Sequence, residues 1–362
     1  MKKNIIRTAA ALIAAVLLLP CKVSAMSAQK AILLDANTGR VLYEKDADSR
    51  SLIASTTKIM TALIICEQCN VLDRKRIPKE AVGIEGSSMY LKEGEVLTLQ
   101  DLLYGLMLHS GNDAAVALAI YCGGTVEGFA QLMNDKAYRL GLTGTHFENP
   151  NGLDSPNHYS TARDLAVLTA YAMKNPIFAK TVSTKSISVG SRTLTNHNKL
   201  LWQVPGADGV KTGYTRAAGR ILVSSACRDG RRLVCVTIHD PDDWQDHARL
   251  LEDGFSRYQI RTILKEGQKI GMLDVLGGEG VVPLLAGETI AYPVAEGERV
   301  EICYPGSGFV YAPVAAGAQA GFGYVLIDGE PVLKFPVLYG ANVEEKPEEK
   351  KGFFHSLFGG KP

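Results

Sequence analysis

The sequence predicts an α+β domain followed by a small all-β domain, and three observations lead to this prediction. The segment AILLDANTGRVLY, residues 31–43, places two apolar runs around Asn37-Thr38-Gly39-Arg40, which is the pattern of a strand, a turn and a strand. A long stretch with helical periodicity follows, and near Ser186 the pattern returns to strands. Strands at both ends of a segment with helices between them predict one antiparallel sheet assembled from both ends, with a helical region inserted.

The helical region is predicted from four stretches in which apolar residues recur with the period of an α-helix. They are LQDLLYGLML (99–108), DAAVALAIYC (113–122), FAQLMNDKAYRL (129–140) and ARDLAVLTAYAM (162–173). The predicted strands that follow are SISVGSRTLTN (186–196), GVKTGYT (209–215) and GRILVSSACRDGRRLVCVTI (219–238). Residues 242–256 have a helical pattern again, which predicts one more helix at the end of this domain.

The composition changes after about Tyr258 to apolar runs that are separated by glycine and have little helical period. Examples are GQKIGMLDVL and GFGYVLIDGEPVLKFPVLYG, and they predict an all-β domain. We therefore expect a first domain over residues 26–260, a β-rich domain over residues 261–343 and a tail over residues 344–362.

The tail, EEKPEEKKGFFHSLFGGKP, joins a charged linker to a short aromatic cluster. Phe354, Leu357 and Phe358 fall on one helical face beside Lys350 and Lys351, which favours shallow attachment to a membrane surface. A disordered tail is the alternative, and the sequence leaves both open.

The first 25 residues have the three parts of a secretory signal peptide. Basic residues precede an apolar run from Ala9 to Pro20, and Ser24 and Ala25 are small residues at a cleavage point. The apolar run is too short to be a comfortable membrane span. A lipoprotein acylation site at Cys21 is the weaker alternative because proline precedes it. We expect cleavage after Ala25 and an extracytoplasmic, membrane-associated protein.

Cleavage would remove four positive charges and no negative ones, which takes the formal charge from +1 to −3. No basic surface for nucleic acid is indicated. The apolar fraction of 46% is that of a chain with an ordinary packed core.

Six cysteines remain after cleavage, and their scatter predicts no small disulfide scaffold. Cys66 and Cys69 lie three positions apart on an apparent helix. A single C-x-x-C without a second ligand pair is weak support for zinc, so we interpret both as small core residues. Cys227 and Cys235 flank the hairpin signal RDGR, but a two-residue turn there places Cys227 opposite Arg232 and does not pair the two thiols.

Chemistry is first indicated by IASTTKIMTAL, residues 53–63, in which Ser55 and Lys58 are one helical turn apart. Residues i and i+3 share a face of a helix, so the two side chains can touch if the helix begins near Ser55. The alternative is that Ser55 caps the helix and Lys58 lies in solvent. The spacing alone decides little, because Ser27 and Lys30 have it too.

The neighbours of Lys58 make this helix apolar nearly all round, as expected for a buried helix. Burial disfavours the charged amine and lowers its pKa, and a second nearby cation would lower that pKa further. A neutral amine can accept the proton of a serine hydroxyl. This is the Ser-Lys version of nucleophilic catalysis.

Two further motifs follow in the order that such a site needs. Ser110-Gly111-Asn112 lies between two helical stretches, and Lys211-Thr212-Gly213 lies on a predicted strand. S-x-N is weak alone because Ser155-Pro156-Asn157 matches it, whereas K-T-G occurs once. S-x-x-K, S-D-N and K-T-G occur together in class A β-lactamases and penicillin-binding proteins.

Longer stretches around these motifs resemble the low-molecular-mass penicillin-binding proteins, the serine-type D-alanyl-D-alanine carboxypeptidases. They include SSMYLKEGEVLTLQDLLYGLMLHSGNDAA, FENPNGLDSPNHYSTARDLA, TNHNKLLW and DGVKTGYTRAAGR. The similarity covers about residues 31–258 and continues more loosely to about residue 343.

The resemblance implies a β-lactamase/transpeptidase-like first domain and a secreted enzyme of cell-wall synthesis and cell shape. It implies removal of the terminal D-alanine from peptidoglycan stem pentapeptides through a serine acyl-enzyme, without a metal or cofactor. It also implies that β-lactam antibiotics are covalent inhibitors.

Carried over by position, the resemblance makes Ser55 the acylated nucleophile and Lys58 its base. Ser110 would relay a proton to the leaving amine, and Asn112 would hold the substrate amide.

The same resemblance assigns substrate binding to the third motif. Lys211 and Thr212 would bind the terminal carboxylate, and Gly213 would let the substrate backbone lie against the strand. The N–H groups of Ser55 and Tyr214 would form the oxyanion hole.

The chain departs from the family pattern in one place. After LVCVTI, relatives commonly carry glycine and then an arginine that assists carboxylate binding or substrate positioning, whereas this chain reads HDPDDW over residues 239–244. Either Arg249 or another group substitutes, or carboxylate recognition rests mainly on Lys211 and Thr212.

Three other functions stay open at this stage: a β-lactamase, a D,D-endopeptidase and an inactive wall-binding protein on the same fold. A class A β-lactamase would carry a glutamate within an E-x-x-L-N segment between its second and third motifs. Between Asn112 and Lys211 the only glutamates are Glu127 and Glu148, and neither matches that segment. The wall-binding alternative is disfavoured because every catalytic position is filled.

Overall fold

The computed structural model describes residues 26–347. The signal peptide predicted at residues 1–25 and the aromatic cluster predicted between Phe354 and Phe358 lie outside this range. Among the described residues no single helix has both the length and the apolar composition needed to cross a membrane. Two consecutive helices, Asn112–Gly123 and Val126–Arg139, have that length and composition only when they are taken together, and the pair is bent by 81°.

Eight α-helices lie within the described range: α1 Lys58–Gln68, α2 Leu99–Leu108, α3 Asn112–Gly123, α4 Val126–Arg139, α5 Ala162–Ala172, α6 Pro176–Ser183, α7 Leu200–Gln203 and α8 Asp243–Arg257. The β-strands of the same range are β1 Lys30–Asp35, β2 Val41–Lys45, β3 Arg74–Arg76, β4 Val96–Thr98, β5 Ser186–Val189, β6 Arg192–Thr195, β7 Ala207–Thr215, β8 Gly219–Arg228, β9 Arg231–Ile238, β10 Tyr258–Leu264, β11 Lys269–Leu276, β12 Val281–Ala286, β13 Ile290–Ala295, β14 Val300–Cys303, β15 Phe309–Tyr311, β16 Gln319–Ile327 and β17 Glu330–Tyr339. Each of the four predicted stretches of helix in the inserted region is a helix here, α2 to α5.

The first domain is built on a five-stranded antiparallel sheet in the order β2-β1-β9-β8-β7. β1 pairs with β9 along its whole length, so the N-terminal hairpin joins the strands that follow the helices. The predicted assembly of one sheet from both ends is therefore confirmed. The register of the β8–β9 hairpin places Cys227 opposite Arg232, as the turn predicted.

Helices cover both faces of this sheet. One face packs against the inserted helical region, and the other packs against α8, where Leu33 meets Leu250 and Leu251. α1 lies inside the helical region, and every residue from Lys58 to Cys66 is buried. A helix that is buried all round removes a polar side chain from water, whichever face the side chain occupies.

Strands β10–β17 form a second domain with a hydrophobic core of its own, so the all-β prediction is confirmed. β10 pairs with β13, and the other six strands form a sheet in the order β14-β16-β17-β12-β11-β15. Arg40, in the β1–β2 turn, connects the two domains. Its guanidinium pairs with Glu298 and lies 5.2 Å from the ring centre of Tyr258 and 5.5 Å from that of Tyr292.

Candidate active site

Ser55 lies on a short 3-10 turn, Ala54–Thr57, that leads directly into α1. Ala54 has a φ of 44°, in the left-handed region, and so redirects the chain just before the serine. Neither the turn nor α1 has a side-chain cap hydrogen bond, so Ser55 does not act as the helix cap of the alternative interpretation. Its hydroxyl instead faces Lys58, whose Nζ lies 2.9 Å from Ser55 Oγ.

The amine of Lys58 is fully buried and makes three hydrogen bonds. It contacts Ser55 Oγ at 2.9 Å, Asn112 Oδ1 at 2.7 Å and the backbone oxygen of Asn151 at 2.6 Å. A neutral amine fits the same three contacts, because two N–H groups satisfy the two carbonyl oxygens and the lone pair faces the serine hydroxyl. The arrangement therefore suits a base that accepts the proton of Ser55.

Burial lowers the pKa of both lysines of the site, and a neighbouring charge lowers that of one of them further. Burial lowers the pKa of Lys58 well below its ordinary value of 10.5, and the charge of Lys211 lowers it further, while Asp113 acts in the opposite direction. Burial alone lowers the pKa of Lys211 to about 7. Both lysines therefore lose their protons at a lower pH than an exposed lysine does, and Lys58 has the charge of Lys211 as an additional cause.

Ser110 lies in the connection between α2 and α3 with a φ of 62°. Lys211 Nζ donates to Ser110 Oγ at 3.1 Å and to the backbone oxygen of Thr212 at 2.7 Å. The hydroxyl of Ser110 is therefore in direct contact with the lysine of the K-T-G motif, and the second and third motifs meet at this hydrogen bond.

Asn112 begins α3, and its side chain is turned towards Lys58. Its Oδ1 accepts from Lys58, and its Nδ2 donates to the backbone oxygen of Glu85 at 2.6 Å. In this arrangement the side chain of Asn112 connects the amine of Lys58 to the backbone of the loop at Glu85.

Asp113 is a residue of the site that the sequence did not reveal. Its carboxylate accepts from Ser88 Oγ at 2.6 Å and from the backbone N–H groups of Met89 and Leu91 at 3.1 and 3.0 Å. These contacts hold the loop that brings Ser87 to the cleft. The sequence does show an acid in the first turn of a helix. Acids are common at that position because they stabilise the helix, so the position alone does not indicate a site residue.

The K-T-G motif lies on β7, the edge strand of the sheet, which packs against the turn that carries Ser55. A Cβ at Gly213 would come within 3.2 Å of Thr56 Cγ2 and 3.3 Å of the backbone oxygen of Ile53. Glycine therefore permits the close approach of the strand to the turn that carries Ser55.

An open cleft of about 310 Å³ lies between the three motifs. Five of the eight predicted site residues line it, Lys58 and Lys211 bond to its serines, and Asn112 bonds to Lys58. The lining residues are Ser55, Ser87, Ser110, His197, Thr212, Gly213, Tyr214, Arg220, Ile221, Asp243 and Trp244.

Arg220 is the cation of this cleft that sequence reasoning missed. It lies on β8 opposite Tyr214 of β7, and its Nε and Nη2 form a two-point ion pair with Asp243 at 2.6–3.1 Å. Arg249, the substitute named from the sequence, pairs instead with an acid of its own helix and is not among the lining residues. The sequence signal that could have indicated Arg220 is the acid-rich HDPDDW segment, because a buried carboxylate requires a partner cation.

A buried histidine supports the loop that carries Asn151. His158 Nδ1 accepts from the backbone N–H of Glu148 at 3.1 Å, which leaves Nε2 to carry the proton and donate to Thr57 Oγ1 at 2.7 Å. Burial lowers the pKa of His158 to about 4, so the ring is neutral at pH 7. The loop is thereby tied to the residue that precedes Lys58.

Comparison with protein families matches residues 20–242 to D-alanyl-D-alanine carboxypeptidase. Residues 258–345 match the C-terminal domain of penicillin-binding protein 5. The first match spans more than half of the chain, and the second covers the β-rich domain.

Individual proteins give the same result over most of the chain. D-alanyl-D-alanine carboxypeptidase DacF of Bacillus subtilis is 33% identical, over 86% of this chain and 85% of the relative. D-alanyl-D-alanine carboxypeptidase DacC of Escherichia coli is 33% identical, over 87% and 84%. The crystal structure of penicillin-binding protein 5 from Haemophilus influenzae superposes with a TM-score of 0.76 at 31% identity, over 88% of this chain and 98% of that one.

Proposed function

Since this chain belongs to the D-alanyl-D-alanine carboxypeptidase family, we propose that it removes the terminal D-alanine of peptidoglycan stem pentapeptides through an acyl-enzyme on Ser55. The enzyme class, a serine-type D-alanyl-D-alanine carboxypeptidase, follows from that membership. The assignment of roles rests on one observation, the 2.9 Å contact between Lys58 Nζ and Ser55 Oγ in a site where the amine is fully buried.

Acylation begins when the proton of Ser55 Oγ moves to Lys58 Nζ and Oγ bonds to the carbonyl carbon of the penultimate D-alanine. The N–H groups of Ser55 and Tyr214 stabilise the oxyanion that develops on the carbonyl oxygen. The proton then passes through the hydroxyl of Ser110 to the nitrogen of the terminal D-alanine. The peptide C–N bond breaks, and free D-alanine leaves.

Deacylation returns the enzyme to its starting state. A water molecule gives one proton to the neutral amine of Lys58, and its oxygen attacks the ester carbon. The ester C–O bond breaks, Lys58 returns the proton to Ser55 Oγ, and the shortened peptide leaves. Asn112 holds the amine of Lys58 in place through both steps, because its Oδ1 occupies one N–H of that amine at 2.7 Å.

The substrate carboxylate is proposed to lie between Lys211, Thr212 and Arg220. The side chain of Asp243 is 4% exposed and that of Arg220 is 44% exposed, so the acid fixes the guanidinium while the guanidinium faces the cleft. Nε and Nη2 of Arg220 are used by Asp243, which leaves Nη1 for a carboxylate oxygen. Arg220 then takes the place of the arginine that relatives carry after the last strand of the sheet.

β-Lactam antibiotics are proposed to acylate Ser55 by the same attack on a carbonyl carbon. The β-lactamase alternative is weakened by the position of Glu148, which accepts from Ser155 Oγ and the N–H of Asn157 in its own loop and is not among the cleft-lining residues. The cleft therefore offers no carboxylate from this loop to activate a deacylating water.

We propose in addition that the enzyme works outside the cytoplasmic membrane, where residues 1–25 would deliver it and the tail over residues 344–362 would hold it at a membrane surface. The support is the sequence pattern at each end. Deletion of the residues after Pro347 should reduce co-sedimentation with anionic liposomes. Unchanged co-sedimentation would show that the tail does not attach the enzyme to the membrane surface.

Release of free D-alanine from a pentapeptide that ends in D-Ala-D-Ala tests the proposed function. The wild-type enzyme should release it, and Ser55→Ala, which removes only the attacking oxygen, should not. A folded wild-type protein that releases none would instead favour a wall-binding protein, and cleavage of cross-linked dimers without D-alanine release would favour an endopeptidase.

A further inference from the structure

Two helices of the site, α1 and α3, meet at both of their ends. At their N-terminal ends Lys58 Nζ donates to Asn112 Oδ1 at 2.7 Å. At their C-terminal ends Cys69, which follows α1, and Cys122 of α3 are neighbours, and the interaction of their side chains lowers the pKa of Cys69 and raises that of Cys122. Cys122 Sγ also lies 3.9 Å from Oε1 of Gln68, the residue before Cys69.

Cys66 lies in the core as predicted, whereas Cys69 is only partly buried and packs against the edge of that core. α1 ends at Gln68, and Cys69 has extended backbone angles, with φ −117° and ψ 149°, so its side chain leaves the face that Cys66 occupies. Cys66 is 8% exposed within the core, and burial raises its pKa to about 12. Cys69 and Cys122 are both half-buried at the surface end of the helices.

We propose that Cys69 and Cys122 form a disulfide in an oxidising compartment, which fastens the C-terminal ends of the two helices that carry Lys58 and Asn112 at their N-terminal ends. The sequence predicts such a compartment, since residues 1–25 read as a secretory signal peptide and disulfides persist outside the cytoplasm.

The oxidant is a disulfide of a small molecule or of another protein. The neighbouring Cys122 side chain lowers the pKa of Cys69 to about 7, so Cys69 is the attacking thiolate. It bonds to one sulfur of the oxidant, and the other sulfur leaves as a thiol. Cys122 then loses its proton and attacks the Cys69 sulfur, and the second thiol leaves. Two electrons and two protons pass from the cysteine pair to the oxidant.

The bond would close the chain between positions 69 and 122, a segment that contains the S-x-N motif. A closed segment of this length reduces the conformational freedom of the unfolded chain, and the oxidised enzyme should melt about 5–15 °C above the reduced one. The acylation rate of the folded enzyme should not change, because the thiols lie at the ends of the helices opposite the cleft.

The test uses the mature chain equilibrated with glutathione disulfide and mapped by mass spectrometry without reduction. Cys66 and Cys69 lie on one tryptic peptide, so the map is made with Cys66→Ala. The expected product is the peptide of Cys69 joined to that of Cys122, with the loss of two hydrogens. The rise in Tm should vanish with dithiothreitol and in Cys69→Ser and Cys122→Ser, and remain in Cys66→Ala.

Cys303, exposed on β14 in the other domain, serves as the internal control for the oxidant. Modification of Cys303 by glutathione would show that the oxidant is active. If Cys69 and Cys122 then stay as thiols, or each carry a separate glutathione, the proposal is overturned. A cross-link that forms without any change in Tm would overturn its stabilising role. Comparison of the oxidised and reduced wild-type protein needs no variant, so poor folding of a serine variant leaves the test intact.

Discussion

Lys58 and Lys211 are both buried beside one cleft, and the charge of Lys211 is the second cause, after burial, of the lowered pKa of Lys58. Each lysine bonds to a different serine of the cleft, Lys58 to Ser55 and Lys211 to Ser110. Two charges in one dry site are less favourable than one, which favours a state in which one of the two amines is neutral. One residue type can thereby supply both a base and an anion-binding group.

The rate of acylation by a β-lactam should follow a bell-shaped curve against pH. Acylation needs Lys58 neutral, so the rate rises as that amine loses its proton, and it needs Lys211 charged, so the rate falls as pH passes about 7 in the free enzyme. In Lys211→Arg the guanidinium stays charged at all these pH values. The acylation rate of this variant should therefore not fall on the alkaline side. An unchanged alkaline limb in that variant would assign the fall to another group.

Arg220→Ala should lower kcat/KM for a peptide with a free terminal carboxylate by about 10- to 100-fold, which is the usual contribution of a hydrogen bond to a charged group. The loss should be smaller for the same peptide with a terminal amide. Because the variant leaves buried Asp243 without its cation, Arg220→Ala combined with Asp243→Asn is measured as well. Arg249→Ala is the matched control and should retain wild-type kinetics. Equal losses for both peptides would place Arg220 outside carboxylate binding.

Gly213→Ala should slow acylation by about 100-fold, because its Cβ would lie 3.2 Å from Thr56 Cγ2 and push β7 away from the Ser55 turn. Gly271→Ala is the control, since a Cβ there meets only Leu284 Cδ1 at 3.8 Å. Stopped-flow measurement of β-lactam acylation makes the comparison. Wild-type rates in Gly213→Ala would mean that the strand and the turn need not be so close.

The free energy of unfolding should fall steeply with acidification below about pH 6.5. Burial lowers the pKa of His158 to about 4 and that of His247 to about 3, so the unfolded chain binds protons on these rings first as the pH drops. Stability is therefore complete above the unfolded pKa of ~6.5 and decreases by roughly 3 kcal/mol per ring by pH 4.

Urea unfolding of wild type, His158→Gln and the exposed His239→Asn between pH 7 and pH 4 measures this effect. The slope of stability against pH should be shallower in His158→Gln and unchanged in His239→Asn. A wild-type slope in His158→Gln would show that this ring does not take up the proton.

The fold followed from the sequence where the information is local. The β8–β9 register was set by a two-residue turn and by the period of two along each strand, so Cys227 faces Arg232 as expected. The start of α1 was less accessible, because one turn of 3-10 helix and one turn of α-helix have nearly the same sequence pattern. The sequence therefore could not show that Ser55 lies on the 3-10 turn and not in the α-helix that follows it.

The site was predictable where each residue belongs to a motif and unpredictable where two distant side chains meet. Arg220 and Asp243 pair across two elements, and no periodicity of either element indicates the partner. Cys69 and Cys122 meet for the same reason, since their contact depends on where α1 ends. Asp113 resembles an ordinary helix-start acid until the loop that it holds is in place.

The mass of the protein after treatment with penicillin, followed against time once excess drug is removed, tests the central claim most directly. We predict one penicilloyl group on Ser55 that persists for about minutes or longer at neutral pH, because Glu148 is held within its own loop and does not line the cleft, and the loss of such a general base slows a step of this kind by ~10²- to 10⁴-fold. Ser55→Ala should carry no adduct, and D-alanyl-D-alanine peptides should still be turned over by the wild type. An adduct on another residue, or recovery within seconds together with rapid hydrolysis of nitrocefin, would contradict the account.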